Sequence, residues 1–191
     1  MRLFVAVDLP EAMRVRLADL LARLRSEVPD VRWLRSAGIH LTLKFLGEVG
    51  EARVAAIAED LARAASRVPG GFTIAVEGVG TFGGSRNPRV VWLGVTEDGT
   101  SLSRLQSEVE SACERQEFAR EQRPFSPHLT LARLKFPSKT LARAVGSLGS
   151  VSIGSFPVAS FCLFQSLLRP EGAEYVRLRE FHLGSGEGGG S

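Results

Sequence analysis

The chain has 191 residues, of which 44% are hydrophobic and 24% charged, a balance that suits one globular domain or two tightly joined lobes. The net charge of +3 permits a polyanionic partner such as RNA, but the arginines are spread along the chain, which argues against a general nucleic-acid-binding surface. The two cysteines, Cys113 and Cys162, are too few and too far apart for a disulfide framework or a zinc knuckle.

The first half of the chain predicts a strand, a helix, a strand, a helix and two further strands. The opening strand, Leu3–Val7, leads to Pro10, a good first residue of a helix. That helix ends at Pro29-Asp30 and has these apolar residues at helical spacing: Leu17, Leu20, Leu21, Leu24 and Val28. The segment Ile39–Leu46 alternates as a strand does. The rest of this half predicts a helix with Val54, Ile57, Leu61 and Val68 on one face, and strands over 72–79 and 89–95 joined by the loop 80–88.

A four-residue string, His-Leu-Thr-Leu, occurs at 40–43 and again at 128–131, so it uses two of the three histidines of the chain. The offset of 88 residues maps the first helix onto 101–117 and the second onto 139–148, and it maps the paired strands onto 156–165 and 175–183. Each half therefore contains a helix, a motif strand, a helix and two strands, which indicates an internal repeat.

The repeat predicts an α+β fold with two pseudo-symmetric lobes. Each lobe is expected to be a mainly antiparallel sheet with helices on its outer face, and the active-site cleft is expected between the lobes. We predict one bilobal domain over 1–183, with the repeat roughly over 10–95 and 98–183. The Gly/Ser-rich tail over 184–191 is predicted to be disordered.

Strand parity predicts which side chains of the motifs share a face. His40, Thr42 and Lys44 fall on one face in an ideal strand, whereas Leu41, Leu43 and Phe45 fall on the other and are predicted to be core. In the second copy, His128 and Thr130 share a face, and Leu129 and Leu131 point to the core. Both copies thus place polar residues on the predicted cleft side.

Two imidazoles that face one substrate atom suit acid–base catalysis. One neutral and one protonated ring can coexist near neutral pH, since the unperturbed pKa of histidine is about 6.5. The hydroxyls of Thr42 and Thr130 can donate to non-bridging phosphate oxygens. Lys44 and Arg133 are nearby cations, although Arg133 has the parity of the leucines and would need a bulge, a strand end or a long reach to enter the cleft.

Other functions use the same residues differently. A metal site is not expected, because zinc needs three or four ligands and neither motif has a third one close by. His182 lacks a partner motif and is predicted to be structural or exposed. A phosphodiesterase acting on a small cyclic nucleotide, and a non-catalytic module that binds nucleotides or RNA, remain the alternatives.

The chain resembles the 2H phosphoesterase superfamily, and more closely the bacterial and archaeal RNA 2′,3′-cyclic phosphodiesterases, formerly called 2′-5′ RNA ligases. The resemblance covers nearly the whole chain up to about Leu183. Five stretches carry it: Met1–Pro10, Val31–Leu34, His40–Gly47, Asn87–Gly94 and Arg123–Arg133.

This resemblance implies hydrolysis of a terminal 2′,3′-cyclic phosphate on RNA to a 2′-phosphate. It makes His40 the proton donor to the departing 3′ oxygen and His128 the base that activates water. It also makes Thr42 and Thr130 ligands of the phosphate oxygens, and Arg133 matches a recurrent family arginine.

Further expectations follow from the resemblance and from the bulk composition. Phe45 and Phe125 match recurrent aromatics, for which base stacking and plain core packing are equally good interpretations. No metal or nucleotide cofactor is expected, and reversible 2′-5′ ligation is compatible with the same residues. The partner is RNA or an oligonucleotide ending in a cyclic phosphate. No run of about 18 apolar residues occurs, so no membrane contact is predicted. We expect a cytoplasmic monomer.

Overall fold

The structure is a computed structural model that describes residues 1–83, 88–136, 138–148, 150–170 and 172–184, without the side chains of Val145 and Ser147. Most of the predicted disordered tail, and the middle of the predicted loop over 80–88, lie outside the described residues.

The described residues form strands and helices close to those predicted. The strands are β1 (Arg2–Val7), β2 (Leu41–Glu48), β3 (Phe72–Phe82), β4 (Val90–Glu97), β5 (His128–Arg133), β6 (Ser152–Val158), β7 (Ser160–Arg169) and β8 (Gly172–His182). The α-helices are α1 (Glu11–Glu27), α2 (Val54–Ser66), α3 (Ser101–Arg115) and α4 (Lys139–Leu148). The segment predicted as one strand over 156–165 is two strands, β6 and β7, because the chain changes its pairing partner from β3 to β1 at Ala159. Pro157 and Ser160 lie beside that change, but the apolar alternation continues through it.

All eight strands lie in one antiparallel sheet with the order β6-β3-β4-β5-β2-β1-β7-β8. The two central strands, β2 and β5, share one residue pair, Leu41 with Leu129. The sheet therefore divides into a His40 lobe (β2, β1, β7 and β8) and a His128 lobe (β5, β4, β3 and β6). The predicted α+β fold with two antiparallel lobes is confirmed.

The two lobes do not coincide with the two halves of the sequence. Strands β3 and β4 belong to the first half but pair with β5 and β6 in the His128 lobe, whereas β7 from the second half pairs with β1. Each lobe is completed by strands from the other half, which ties the halves into one structure. The repeat boundaries given above stay a prediction.

The two faces of the sheet carry different clusters. The main hydrophobic core lies on the helix-covered face, where residues such as Leu3, Val5 and Leu41 pack against the helices. On the opposite face, which we call the cleft face, β1 and β7 form a smaller cluster of Phe4, Ala6, Cys162 and Phe164. Alternate residues of β1 thus face opposite sides of the sheet, as strand geometry requires.

Both cysteines are buried, and burial raises the pKa of each thiol to about 12, so neither is a ready nucleophile. Within the described residues, no helix is both long and apolar enough to span a membrane.

Candidate active site

The two motif strands meet at the centre of the sheet. Leu41 pairs with Leu129 in an antiparallel bridge, and extending this register by one residue each way places His40 across from Thr130 and Thr42 across from His128. Both leucines are fully buried, so the four polar side chains share the cleft face. In such a pair, directly opposite Cβ atoms lie about 4.5–5.5 Å apart and diagonal ones about 7–8 Å. The four side chains therefore form a small rectangle, with the two imidazoles at diagonally opposite corners.

A β-bulge lies at the last residue of each motif. Ala6 pairs with Thr42 but Val5 pairs with Lys44, so Leu43 is the extra residue of β2. In β5 the extra residue is Leu131. These bulges reverse the strand parity beyond the motifs, and the reversal decides where the next two residues of each strand point.

The reversed parity changes the face on which the next two residues of each strand lie. Lys44 and Ala132 are buried on the helix face, whereas Phe45, at 63% exposure, and Arg133 lie on the cleft face. The prediction that Lys44 shares a face with His40 is therefore wrong, and so is the core parity assigned to Phe45. The bulge that Arg133 would need for entry into the cleft is present.

Lys44 lies in a buried, hydrogen-bonded environment on the helix face. Its side-chain Nζ donates to Glu110 Oε2 at 2.8 Å and to the carbonyl oxygen of Ala119 at 2.6 Å. Lys44 is 8% exposed and Glu110 4%, so this is a buried ion pair between β2 and α3. The contact fixes α3 and the segment after it against the helix face of the motif strand, and Lys44 does not line the cleft.

We expect Lys44→Met to lower the free energy of unfolding by about 3–5 kcal/mol, because it leaves the Glu110 carboxylate buried without its partner. The double variant Lys44→Met/Glu110→Met should recover most of this loss, since no unpaired charge then remains. Urea unfolding measures both, and kcat/KM per folded molecule should change less than about threefold. A Lys44→Met protein that is as stable as the wild type but has a strongly reduced kcat/KM would contradict this structural role and support a role for Lys44 in the cleft.

His40 lies in an aromatic cage on the cleft face of its lobe. Its ring stacks on Phe4 with centroids 4.5 Å apart, meets the edge of Tyr175 at 5.0 Å, and lies 6.3 Å from Phe164. Burial lowers the pKa of His40 to about 4; Asp8 opposes this shift, and the positive charges of Arg14 and Arg133 add to it. The unliganded His40 is therefore neutral at neutral pH.

The backbone before His40 is anchored by an arginine from α1. The Arg14 guanidinium donates to the carbonyl oxygen of Ser36 at 2.7 Å and pairs with Asp8. Asp8 also binds Arg177 of β8 at 2.8 Å. Sequence reasoning missed these positioning residues, because each acts through a tertiary contact that leaves no local pattern.

His128 has a different environment. Its Nδ1 lies 2.7 Å from the carbonyl oxygen of Ser126. A carbonyl oxygen only accepts, so Nδ1 carries the proton, and the neutral ring leaves its Nε2 lone pair free. Phe82 meets the ring edge-on at 4.9 Å, and Trp92 lies 6.5 Å away.

A cavity of about 630 Å³ opens beside the motifs on the side of the His40 lobe. His40, Thr42, Thr130, Arg133 and Phe45 line it, and so do residues that the sequence did not single out: Arg2, Phe4, Ser166, Leu168 and Tyr175. His128 is not among its lining residues, but the register places it across from Thr42 at the edge of this space.

Two remaining predicted residues lie away from the cavity. Phe125 is half-buried and packs against the main core, which favours the core interpretation over base stacking. His182 is exposed at the end of β8. In the described part of the chain, no group of three or more His, Cys, Asp and Glu side chains is arranged to hold a metal ion.

Comparison with known proteins shows the relatives of this chain. The family model described as "2'-5' RNA ligase superfamily" matches residues 8–168. A relative in Archaeoglobus fulgidus named RNA 2',3'-cyclic phosphodiesterase is 40% identical over 181 residues, covering 95% of this chain and 99% of the relative. A relative of the same name in Methanothermobacter thermautotrophicus is 36% identical over 184 residues, covering 95% and 98%.

Solved structures agree with these matches. A protein from Thermus thermophilus superposes with a TM-score of 0.81 at 30% identity, covering 96% of this chain and 98% of that one. The E. coli protein LigT, crystallised with 3'-AMP, superposes with a TM-score of 0.71 at 29% identity, covering 95% and 97%.

Proposed function

This chain belongs to the 2′-5′ RNA ligase superfamily, and we propose that it hydrolyses the terminal 2′,3′-cyclic phosphate of RNA to a 2′-phosphate. The relatives that carry the name RNA 2',3'-cyclic phosphodiesterase match it over nearly its whole length. The E. coli relative binds 3'-AMP, which supports a nucleotide as the occupant of the cleft.

One observation carries this proposal: the antiparallel register sets two His–Thr pairs face to face across the centre of the sheet. A phosphate over that centre would meet a hydroxyl and an imidazole from each lobe. The Thr42 and Thr130 hydroxyls donate to its non-bridging oxygens, on which negative charge gathers during displacement. Arg133 lies on the same face and supplies positive charge to those oxygens.

His128 acts as the general base in this reaction. The hydrogen bond from its Nδ1 to Ser126 sets the tautomer in which Nε2 accepts a proton. Nε2 then removes a proton from the water that attacks phosphorus.

His40 acts as the general acid, and the position of the cavity supports this. The cavity extends over the His40 lobe, so the terminal nucleoside lies on that side of the phosphate. Water then attacks from the side of His128, and in-line displacement puts the departing 3′ oxygen next to His40. The ring of His40 donates its proton to that oxygen as the P–O bond breaks.

The charge state of His40 must change when substrate binds. Burial lowers its pKa to about 4 in the empty site, and Arg14 and Arg133 contribute to that lowering. A bound phosphodiester brings negative charge next to the ring and screens Arg133, which favours the protonated form. Binding thereby charges the acid only when there is a leaving group to protonate.

This coupling predicts a pH dependence. The histidine pair needs one proton, and the doubly protonated pair lacks a base, so the rate falls at an acid pH where both rings carry a proton. The acidic limb of kcat/KM, which reports the free enzyme, should lie near pH 4, because burial lowers the pKa of His40 to about 4. The limb of kcat, which reports the complex, should lie at higher pH. If the acidic limbs of kcat/KM and kcat lie at the same pH, with chemistry shown to limit the rate, the proposed effect of substrate binding on the pKa of His40 is contradicted.

The same site can also join two RNA ends. If the 5′ hydroxyl of a second RNA takes the place of water, His128 removes its proton, the bond from phosphorus to the 3′ oxygen breaks as His40 protonates that oxygen, and a 2′-5′ phosphodiester forms. Cleavage of that linkage is the reverse reaction, in which the acid and base exchange roles. Reversible 2′-5′ ligation is therefore part of the proposal.

The assembly and location of the protein also belong to the proposal. One chain supplies both His-Leu-Thr-Leu motifs, so we propose that it works as a monomer. Its two buried, unpaired cysteines fit a reducing cytoplasm.

A direct test uses a short RNA ending in a 2′,3′-cyclic phosphate, with excess chelator present. We expect conversion to the 2′-phosphate, identified by its difference from the 3′-phosphate on chromatography. Loss of turnover with chelator would contradict metal-independent catalysis, and formation of a 3′-phosphate would contradict protonation of the 3′ oxygen.

A further inference from the structure

The His128 lobe has basic residues in stretches of sequence that contain no acidic ones. The chain has 21 acidic residues, but none lies between residues 78 and 96 or between residues 122 and 170. These two stretches supply β5, β6, α4 and nearly all of β4. Positive charge without neighbouring carboxylates suits a polyanion such as RNA.

An exposed aromatic residue lies in this lobe, just beyond the end of β5. Phe136 is 80% exposed, the highest value among the large apolar side chains of the described residues. Lys135 before it is also exposed, whereas Leu134 packs against the main core and holds this segment to the protein. An exposed aromatic ring beside cations is typical of a surface for single-stranded nucleic acid, where a base stacks on the ring.

Arg89, just before β4, fixes the position of this segment. Its guanidinium donates to the carbonyl oxygen of Lys135 at 2.9 Å, and its own carbonyl oxygen accepts from the N–H of Leu134 at 2.8 Å. In the part of the chain that the structure describes, the Lys135 ammonium group makes no hydrogen bond or ion pair, so it is available to a phosphate. Arg89, Lys135 and Phe136 together form what we call the Phe136 patch.

The Phe136 patch is connected to His128. The N–H of Arg89 donates to the carbonyl oxygen of Phe82 at 2.8 Å, and the Phe82 ring meets His128 edge-on at 4.9 Å. Phe136 is six residues along the chain from Thr130, so their Cα atoms are at most about 22 Å apart. None of the three described residues of the patch lines the cavity beside the motifs. A strand bound to the patch would therefore reach the phosphate from the side of His128.

The side of His128 is where the second RNA end enters in the proposed ligation. The strand with the cyclic phosphate has its terminal nucleoside in the cavity, on the other side of the phosphate. The 5′ hydroxyl of the second RNA takes the place of water next to His128, so the nucleotides that follow this hydroxyl extend over the His128 lobe. A water molecule has no such extension, and hydrolysis does not need the patch.

We propose that the Phe136 patch binds the RNA strand that carries the 5′ hydroxyl, with one of its bases stacked on Phe136 and its phosphates paired with Lys135 and Arg89. The inference rests on the proposed function, since it assumes that a 2′-5′ linkage is made and cleaved at the two histidines. In cleavage, His40 takes the proton of the 3′ hydroxyl, the 3′ oxygen forms a bond to phosphorus, and the bond to the 5′ oxygen breaks as His128 returns a proton to it. The products are the strand with the cyclic phosphate and the strand with the 5′ hydroxyl.

Cleavage of a 2′-5′-linked RNA tests the patch, because both strands are then present in one substrate. Two substrates share the strand that becomes the cyclic phosphate and differ beyond the linkage. The short one has a single nucleoside there, and the long one has about six nucleotides, enough to reach Phe136 at about 3.4 Å per stacked nucleotide. Wild-type kcat/KM should be higher for the long substrate. Phe136→Ala should lower kcat/KM for the long substrate roughly 5- to 150-fold, the usual effect of losing an aromatic partner of a base, and should change that for the short substrate less than about twofold.

Lys135→Met separates the charge from the stacking. For the long substrate, it should reduce the slope of log kcat/KM against log salt concentration by about 0.7, the value for one phosphate contact on a single strand. The slope for the short substrate should not change. Both patch residues are exposed, so both variants should keep the wild-type melting temperature.

Two variants outside the patch serve as matched controls. Val15→Ala truncates an exposed apolar side chain on α1, and Arg104→Met removes an exposed cation from α3. Both should keep the wild-type kcat/KM and salt dependence for each substrate.

The inference is overturned if the longer strand brings no gain in the wild-type protein, if Phe136→Ala keeps that gain, or if no 2′-5′ linkage is cleaved. It is also overturned if Phe136→Ala lowers the hydrolysis of a cyclic-phosphate RNA as strongly, since the patch would then hold the other strand. Hydrolysis is measured separately with the wild-type protein, so each of these outcomes is distinguishable from a failure of the proposed function.

Discussion

Alanine at His40 or at His128 is expected to lower kcat/KM for a cyclic-phosphate RNA by about 10²–10⁴-fold, the usual contribution of one acid or base. The two side chains lie on the diagonal of a rectangle set by the pair of Leu41 with Leu129, so each addresses the same phosphate. Neither change should alter the fold, because the leucines beside them belong to the main hydrophobic core and the imidazoles do not.

The third histidine provides the control. His182 is exposed at the far end of β8, and His182→Ala should keep wild-type kcat/KM. Because the acid and base act in one step, the double variant should be far less impaired than the product of the two single effects. Full activity of either single variant, with an unchanged melting temperature, would contradict a shared role.

The second large effect concerns the leaving group, and it separates the acid from the base. A substrate with sulfur in place of the bridging 3′ oxygen departs as a thiolate, whose conjugate acid has a pKa of about 8.5 and needs little help from a proton donor. We expect His40→Ala to recover on this substrate to within about tenfold of the wild-type protein, because the lost proton is no longer needed. His128→Ala should stay as impaired as on oxygen, since water must still lose its proton.

Single-turnover rates for both variants on both substrates give the comparison. Rescue of His128→Ala in place of His40→Ala would reverse the assignment of acid and base. Rescue of neither variant would contradict the inference that His40 donates to the departing oxygen.

Strand parity was a sound guide to the catalytic face only up to the bulges. His40, Thr42, His128 and Thr130 precede the extra residue in each strand. Their predicted common face agrees with the pair of Leu41 with Leu129, and His40, Thr42 and Thr130 line the cavity. Beyond the bulges the parity reverses, because a single inserted residue moves every later side chain to the other face. A bulge leaves no mark in the string itself, so Lys44 and Phe45 were placed on the wrong faces.

The repeat predicted the two lobes but not how the chain builds them. Segments that look alike at an offset of 88 residues need not pair within their own half, and here β3 pairs with β6 and β7 with β1. The sequence alone could not show this, since an apolar alternation is satisfied by any neighbouring strand. The neighbours of His40 could not be inferred for a similar reason. Phe4, Phe164 and Tyr175 come from three strands, β1, β7 and β8, that lie far from the motif in the sequence.

The two identical motif strings have different surroundings in the structure. His40 stacks on Phe4 and meets the edge of Tyr175, whereas Phe82 and Trp92 lie next to His128. These neighbours come from other strands, so the strings themselves could not show them.

The central claim is that His40 and His128 address one phosphorus atom from opposite sides. A crystal structure of the protein with a nucleoside vanadate, which mimics the five-coordinate transition state, measures this directly. We expect the Nε2 atoms of the two rings to lie about 2.6–3.2 Å from the two apical oxygens, His40 on the 3′ oxygen and His128 on the oxygen of water. Both rings on the same side of the vanadium, or either ring beyond hydrogen-bond reach of its oxygen, would contradict the claim.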